Sequence, residues 1–218
     1  MPATRSPSAE ADLAFLRSIV EGRGRSSLTM GVVYLSGGLL YGLQCLFHIG
    51  QTLGLVRWPP VANLGFIIAI NIAMGGAIAW AVIRDRKDGG DARGPMATRT
   101  LNAGFSSAGA ANLAMVVIFG VGAWRDNDFA IWLYYPAMVF GLQAAAWSVA
   151  WMLKKKAWML ATSLGGFATA VALGLLVRQP EQYLYVCTAA LFLLFALPGW
   201  IMLRDARAGR AVAVTEAA

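Results

Sequence analysis

The chain of 218 residues is 58% hydrophobic and only 13% charged, and its mean hydropathy is +0.60. A soluble domain carries about 45–50% apolar and about 25% charged residues, so a soluble fold of this length could not bury so much apolar side chain. The net charge of +7 does not indicate nucleic-acid binding, because the basic residues flank long apolar runs and fit anionic lipid better.

The N-terminal segment, residues 1–27, predicts a short amphipathic helix before the first apolar run. Pro7 fits the first position of a helix, and Leu13, Leu16 and Val20 repeat at helical spacing on one face. We interpret this helix as lying on the cytoplasmic membrane surface or as docking to a protein partner, with a frayed tail as the alternative.

Six long apolar runs follow, and none of them contains Asp, Glu, Lys or Arg. Each run has about the 20 residues that a helix needs to cross a hydrocarbon core roughly 30 Å thick. Lipid offers no hydrogen bonds to the backbone, and the runs are too long for barrel strands, so each predicts a helix. The predicted fold class is all-α, a polytopic integral membrane protein with six transmembrane helices at residues 28–55, 61–83, 101–124, 129–153, 157–177 and 183–203, followed by a tail at 204–218.

The distribution of basic residues predicts how the chain is oriented. The N-terminal segment, the second and fourth connections and the tail hold 15 of the 18 Lys and Arg residues, whereas the other three connections hold one each. Lys and Arg accumulate on the cytoplasmic side of membrane proteins. We therefore predict that both termini are cytoplasmic, that the spans pair as three helical hairpins, and that the protein lies in a plasma membrane, the bacterial inner membrane.

Polar side chains form a stripe on the first predicted span. His48, the only histidine in the chain, shares one third of the helix circumference with Tyr41 and Gln44, at about 100° per residue. Such a stripe faces other helices, where it either forms interhelical hydrogen bonds or lines a cavity. A lone histidine with two distant cysteines lacks the ligand spacing of a metal or haem site. Amides in other spans could converge with the stripe, so the candidate cavity-lining residues are Gln44, His48, Asn71, Asn112 and Gln143.

Two pairs of glycines on the first span are spaced four residues apart, a pattern that lets membrane helices approach closely. We therefore predict helix packing at Gly38 and Gly42 and at Gly50 and Gly54. The pattern also serves ordinary bundles, so it indicates close contact and not a particular activity.

The spans lack the residues that membrane enzymes commonly use. No carboxylate lies in a span, no glycine-rich phosphate loop occurs, and the serines have only one histidine as a candidate base. We therefore predict no enzymatic activity, no cofactor and no metal. Carriers coupled to protons or cations commonly place Asp or Glu near the bilayer centre, so the same pattern argues against them.

Together these features favour a non-catalytic structural, regulatory or assembly protein that acts through helix packing and its cytoplasmic face. The alternative is a permease for a small uncharged solute, or the membrane subunit of a transporter, with the cavity described above. The predicted partners are membrane lipid, including anionic headgroups at the cytoplasmic face, a protein bound through the N-terminal helix, and a second copy of the chain; nucleic acid is not expected.

Overall fold

The computed structural model describes residues 28–87 and 96–215 of the chain, with side chains for residues 28–87 and 100–208. Within these residues every regular element is helical, and six helices are long and apolar enough to cross a membrane, as predicted. The predicted amphipathic helix at residues 1–27 lies outside the described part of the chain. The elements are α1 (Leu28–Thr52), α2 (Pro60–Lys87), α3 (Met96–Asp126), α4 (Phe129–Lys154), α5 (Ala157–Leu176), α6 (Pro180–Leu191) and α7 (Leu197–Thr215).

The last span is one helix made of two parts. α6 passes into a π-helical segment, Phe192–Ala196, and continues as α7. At the end of this segment the backbone N–H of Leu197 donates to the carbonyl of Phe192, five residues earlier, where an α-helix would use the residue four earlier. The resulting apolar helix is continuous from Pro180 to Ala208.

Short connections hold successive helices side by side. α4 begins after Asp128, whose Oδ1 accepts from the backbone N–H of Ala130 at 2.9 Å and caps the helix. α4 is followed by Lys155, which has φ 52° and donates its backbone N–H to the carbonyl of Trp151. Pro180 stands at the start of α6, where a proline removes no helical hydrogen bond. These local signals determine where one helix ends and the next begins.

α1, α4, α5 and the last span form the centre of the bundle. α1 packs along α6 and α7, α5 packs against α4 and α6, and Tyr34 of α1 reaches Gln143 of α4. α2 packs mainly against α1 and α3 mainly against α4, so both lie at the periphery. In the most apolar stretch of the last span, half of the residues are buried, compared with 11% of those in α2 and 6% of those in α3. Most of the surface of α2 and α3 is therefore open in a single chain.

Polar contacts between helix ends define one end of the bundle. Thr29 Oγ1 donates to Asp85 Oδ2 at 3.1 Å and joins the start of α1 to the end of α2. Lys156 Nζ donates to Asp205 Oδ2 at 3.2 Å and joins the connection after α4 to α7. We call this end the basic end, because the Lys and Arg residues that close α2 and α4 lie there.

Ion pairs mark the opposite end of the bundle. Arg178 Nη2 donates to Asp128 Oδ2 at 2.9 Å, which joins the connection after α5 to the start of α4. At the end of α3, Arg125 Nε lies 2.7 Å from Asp126 Oδ1. We call this end the paired end, because these two arginines already have carboxylate partners.

Glycines let α1 approach the last span closely. A side-chain carbon at Gly38 would lie 2.7 Å from the Cα of Ala196, and one at Gly42 would meet the ring of Phe192 at 2.8 Å. Nearer the basic end, a carbon at Gly31 would lie 2.9 Å from the side chain of Leu203. α1 and the last span therefore meet at distances that only glycine permits at these positions.

Gly50 lies in the last turn of α1, and Gly54 lies in the turn that follows it. A carbon at Gly50 would approach Cγ2 of Val56, beyond that turn, at 3.3 Å. Gly54 has φ 74° and open space around it, and this backbone conformation is one that glycine adopts at little cost. These two glycines therefore shape the end of α1 and do not lie between spans.

The only two cysteines of the chain meet between α1 and α6. Cys45 Sγ and Cys187 Sγ lie 4.0 Å apart, although 142 residues separate them in the sequence. Both thiols are free. We expect copper phenanthroline with oxygen to convert them to an intramolecular disulfide in intact membranes, because sulfurs this close need only small side-chain rotations to bond.

The disulfide would be measured as a loss of thiol labelling in denaturant that reduction restores. A Cys187→Ala variant is the control, because its single thiol should remain open to labelling after the same treatment. Two labelled thiols in the oxidised native chain would contradict the packing of α1 against α6.

Candidate functional site

Side-chain hydrogen bonds fasten α1 to α2. The Tyr41 hydroxyl donates to Asn71 Oδ1 at 3.2 Å, and Gln51 Nε2 donates to Asn63 Oδ1 at 2.8 Å. Asn71 also donates its amide N–H to the carbonyl of Ile67, one turn back on α2. Asn71, a predicted cavity-lining residue, is thus engaged in a contact between two helices.

His48 belongs to the same polar contact. Its ring Nδ1 lies 3.0 Å from Gln51 Oε1, and Gln51 in turn donates to Asn63 of α2. Within residues 28–87 and 100–208, no three His, Cys, Asp or Glu side chains form a group that could hold a metal ion. His48 therefore orients Gln51 and, through it, the contact between α1 and α2 near the end of α1.

Gln143 makes the polar contact between α1 and α4. The hydroxyl of buried Tyr34 donates to Gln143 Oε1 at 2.5 Å. One turn further along α4, the buried indole N–H of Trp147 has no hydrogen-bond partner among the described residues, although its ring centroid lies 5.3 Å from that of Tyr34. Hydrogen bonds between membrane helices contribute about 0.6 kcal/mol on average and up to about 2 kcal/mol. The Tyr34–Gln143 bond therefore helps to fix α1 against α4.

Gln44 and Asn112 retain unpaired acceptors. Gln44 Oε1 and Asn112 Oδ1 are buried and have no hydrogen-bond partner among the described residues. Gln44 lies one turn from both Tyr41 and His48 on α1. An unpaired buried acceptor costs about 1–3 kcal/mol. These two oxygens are therefore where a small hydrogen-bond donor would gain most by binding.

Hydrogen bonds do not join the five predicted cavity-lining residues into one cluster among the residues with described side chains. Three of the five bond to other side chains, and two retain a free oxygen. Sequence reasoning identified the polar side chains but not their partners. The partners of Asn71 and Gln143 lie 30 and 109 residues away along the chain, where no local pattern indicates the pairing.

Sequence reasoning did not single out the outer face of α3. Ala103, Ser107, Ala110 and Ala114 recur every three or four residues, and all four are exposed. We call these four residues the small face of α3. The outer face of α5 has large apolar side chains at the same kind of spacing: Leu164, Phe167, Val171 and Leu175. The sequence feature that distinguishes the two faces is side-chain size, which a hydropathy scale records poorly.

Comparison of the chain with protein-family models, with curated proteins and with solved structures finds no match.

Proposed function

We propose that the protein is a non-catalytic assembly or regulatory protein of the bacterial inner membrane that packs the small face of α3 against a transmembrane helix of a partner protein. The observation that supports the proposal is the exposure of this face in a single chain. α3 is also the span with the smallest buried fraction. Its outer surface is therefore open to a partner.

The small face, which spans residues 103–114 of α3, suits a helix contact better than a lipid contact. Contacts between membrane helices are enriched in Gly, Ala, Ser and Thr, because small side chains allow backbones to approach and hydroxyls to hydrogen-bond across the contact. Ser106 and Gly109 add to this character on α3, and both are exposed. The outer face of α5, with leucine, phenylalanine and valine, has the bulk expected of a surface that meets lipid tails.

The proposal includes an orientation, with both termini cytoplasmic and the six spans paired as three helical hairpins. The basic end then faces the cytoplasm, in agreement with the preference of Lys and Arg for that side. The three outer connections hold three arginines and three acidic residues, Asp126, Asp128 and Glu181. The formal charge of +7 therefore falls entirely on the cytoplasmic side. Basic residues would meet anionic lipid there. The helix proposed at residues 1–27 would offer a second contact for a protein partner on the same side.

The small face is tested by photocrosslinking in intact membranes. A benzophenone amino acid at Ala110 should give a protein adduct, whereas the same group at Val171 on the outer face of α5 should react only with lipid. An adduct of twice the chain mass would identify a second copy as the partner. The proposal fails if Ala110 gives no protein adduct, or if both positions give adducts with equal yield.

A second crosslinking experiment distinguishes a specific helix contact from random collision in the membrane. With the crosslinker at Ala114, a Ser107→Leu substitution should lower the adduct yield severalfold, because leucine fills the space into which the partner helix packs. Val171→Leu is the matched control and should leave the yield unchanged. Equal yields in the two variants would show that the partner does not use the small face.

The second candidate function, a permease for a small uncharged solute or a transporter subunit, is favoured by one observation. Gln44 Oε1 and Asn112 Oδ1 are buried acceptors without partners, and a solute with hydrogen-bond donors would pair with them. Single cysteines at Gln44, Asn71, Asn112 and Gln143, in a chain without Cys45 and Cys187, test it with a small water-soluble thiol reagent. Labelling at several of these positions would support an aqueous path, and uniform protection would exclude one.

A further inference from the structure

A tryptophan and a basic residue are paired at three places at the basic end. The basic residue follows the tryptophan by four positions each time. On α2 and α7 this spacing puts the two side chains on one helix face, whereas Lys155 is the left-handed residue just after α4. The cationic group lies 4.7–5.6 Å from the ring centroid in all three cases. The pairs are Trp80 with Arg84 on α2, Trp151 with Lys155 at the end of α4, and Trp200 with Arg204 on α7.

We propose that each of these Trp–basic pairs binds the phosphate of an anionic phospholipid at the basic end of the bundle. The proposal deepens the contact with anionic lipid described above and rests on it. It does not depend on the small face of α3, so either proposal can fail alone.

The depth and exposure of the three pairs favour lipid binding. Trp80 and Trp200 are exposed apolar rings, and tryptophan rings collect where hydrocarbon meets the headgroups. Each basic side chain comes one helical turn further along the chain than its ring, toward the helix end, at the level where lipid phosphates lie. The stacked ring covers one side of the cation and leaves its N–H donors free for a phosphate oxygen.

The three cations also lack a competing carboxylate partner among the described side chains. Arg84, Lys155 and Arg204 are exposed and form no ion pair with any residue whose side chain is described. The acidic neighbours are engaged elsewhere, since Asp85 accepts from a threonine and Asp205 accepts from a lysine. A phosphate would therefore meet an ordered cation that keeps its charge available.

The paired end provides a built-in comparison. Its arginines at 125 and 178 already bond to Asp126 and Asp128 at 2.7 and 2.9 Å. A lipid phosphate would have to displace a carboxylate there, so anionic lipid should prefer the basic end. Zwitterionic lipid carries its own cation beside the phosphate and should bind the basic end more weakly.

The sites are tested by lipid binding to the purified full chain. Native mass spectrometry of protein in detergent, titrated with phosphatidylglycerol or phosphatidylcholine, counts retained lipids and gives their affinities. Substituting Arg84→Gln, Lys155→Gln and Arg204→Gln together should remove up to three retained phosphatidylglycerols and weaken binding about fivefold for each residue changed. The matched control, Arg57→Gln with Arg125→Gln and Arg178→Gln, makes the same change in charge and should keep those lipids.

A third variant distinguishes lipid binding by the Trp–basic pairs from lipid binding by charge alone. Replacing Trp80, Trp151 and Trp200 by leucine keeps every charge and most of the apolar surface. Weaker binding of phosphatidylglycerol in this variant would support sites built from ring and cation together. The proposal is overturned if the tryptophan variant binds as the native chain does, or if the two glutamine variants lose lipid equally.

Discussion

Gly38→Ala should disrupt the packing of α1 against the last span, because the added carbon would lie 2.7 Å from the Cα and 2.8 Å from the Cβ of Ala196. The obstacle includes backbone of the π-helical segment and cannot move aside as the end of a side chain could. Overpacking of this kind costs about 1–3 kcal/mol or more. The melting temperature of the purified chain in detergent, followed by tryptophan fluorescence, should fall clearly.

Gly75→Ala on α2 is the matched control for this change. No described atom lies within 4 Å of a side-chain carbon at Gly75, and alanine favours a helix over glycine by about 1 kcal/mol. The control should melt at or above the temperature of the native chain. If Gly38→Ala also melts at the native temperature, then α1 and the last span do not meet at this glycine.

Trp147→Ala should be the most destabilising single truncation of an aromatic side chain. Trp147 is only 2% exposed, and its ring packs against those of Tyr34, Phe105 and Trp158 at centroid distances of 5.1–5.3 Å. These contacts connect α1, α3, α4 and α5 near the basic end. Removing the ring leaves a cavity that lipid tails cannot reach, and truncations of this kind cost about 3–5 kcal/mol.

Trp124→Ala on α3 is the comparison for this truncation, because Trp124 is 84% exposed and loses little packing. The yield of folded protein in detergent and its melting temperature should fall for Trp147→Ala and remain near native for Trp124→Ala. Equal effects of the two substitutions would contradict the position of Trp147 in the aromatic cluster.

The six spans could be predicted because lipid imposes a simple rule on composition and length. Their ends were harder to predict. α2 continues through Arg84 and Arg86 to Lys87, and the last helix continues beyond residue 203 to Thr215. Arginine, lysine and alanine are good helix formers in water, so a helix does not end where its apolar run ends.

The order of helices around the bundle could not be predicted from the sequence. Apart from the polar stripe on the first span, the spans are apolar on most sides, so few polar faces show which surfaces meet. Packing in membranes depends on side-chain size and on a few hydrogen bonds, such as the one from Tyr34 to Gln143. Gly38 and Gly42 indicated a close contact, but their neighbours Phe192 and Ala196 are about 150 residues away in the chain, beyond the reach of any local pattern.

The candidate site was predicted by residue type but not by arrangement. Gln44 and Asn112 were identified because amides are rare in apolar runs, and they retain unpaired oxygens. His48 attracted attention as the only histidine, yet its contact is with Gln51 on its own helix. The small face of α3 was missed because alanine and leucine look alike to a pattern based on apolar character.

The π-helical segment has a consequence for how this chain can vary in length. One extra residue in a turn rotates everything that follows by about 100° around the helix axis. α1 touches the last helix on both sides of the segment, at Cys187 before it and at Leu203 after it. Adding or removing one residue between those two positions would turn one of the two contacts away from α1. Chains that descend from the same ancestor should therefore keep the number of residues in this stretch fixed even where residue types change, whereas the connections between spans carry no such constraint.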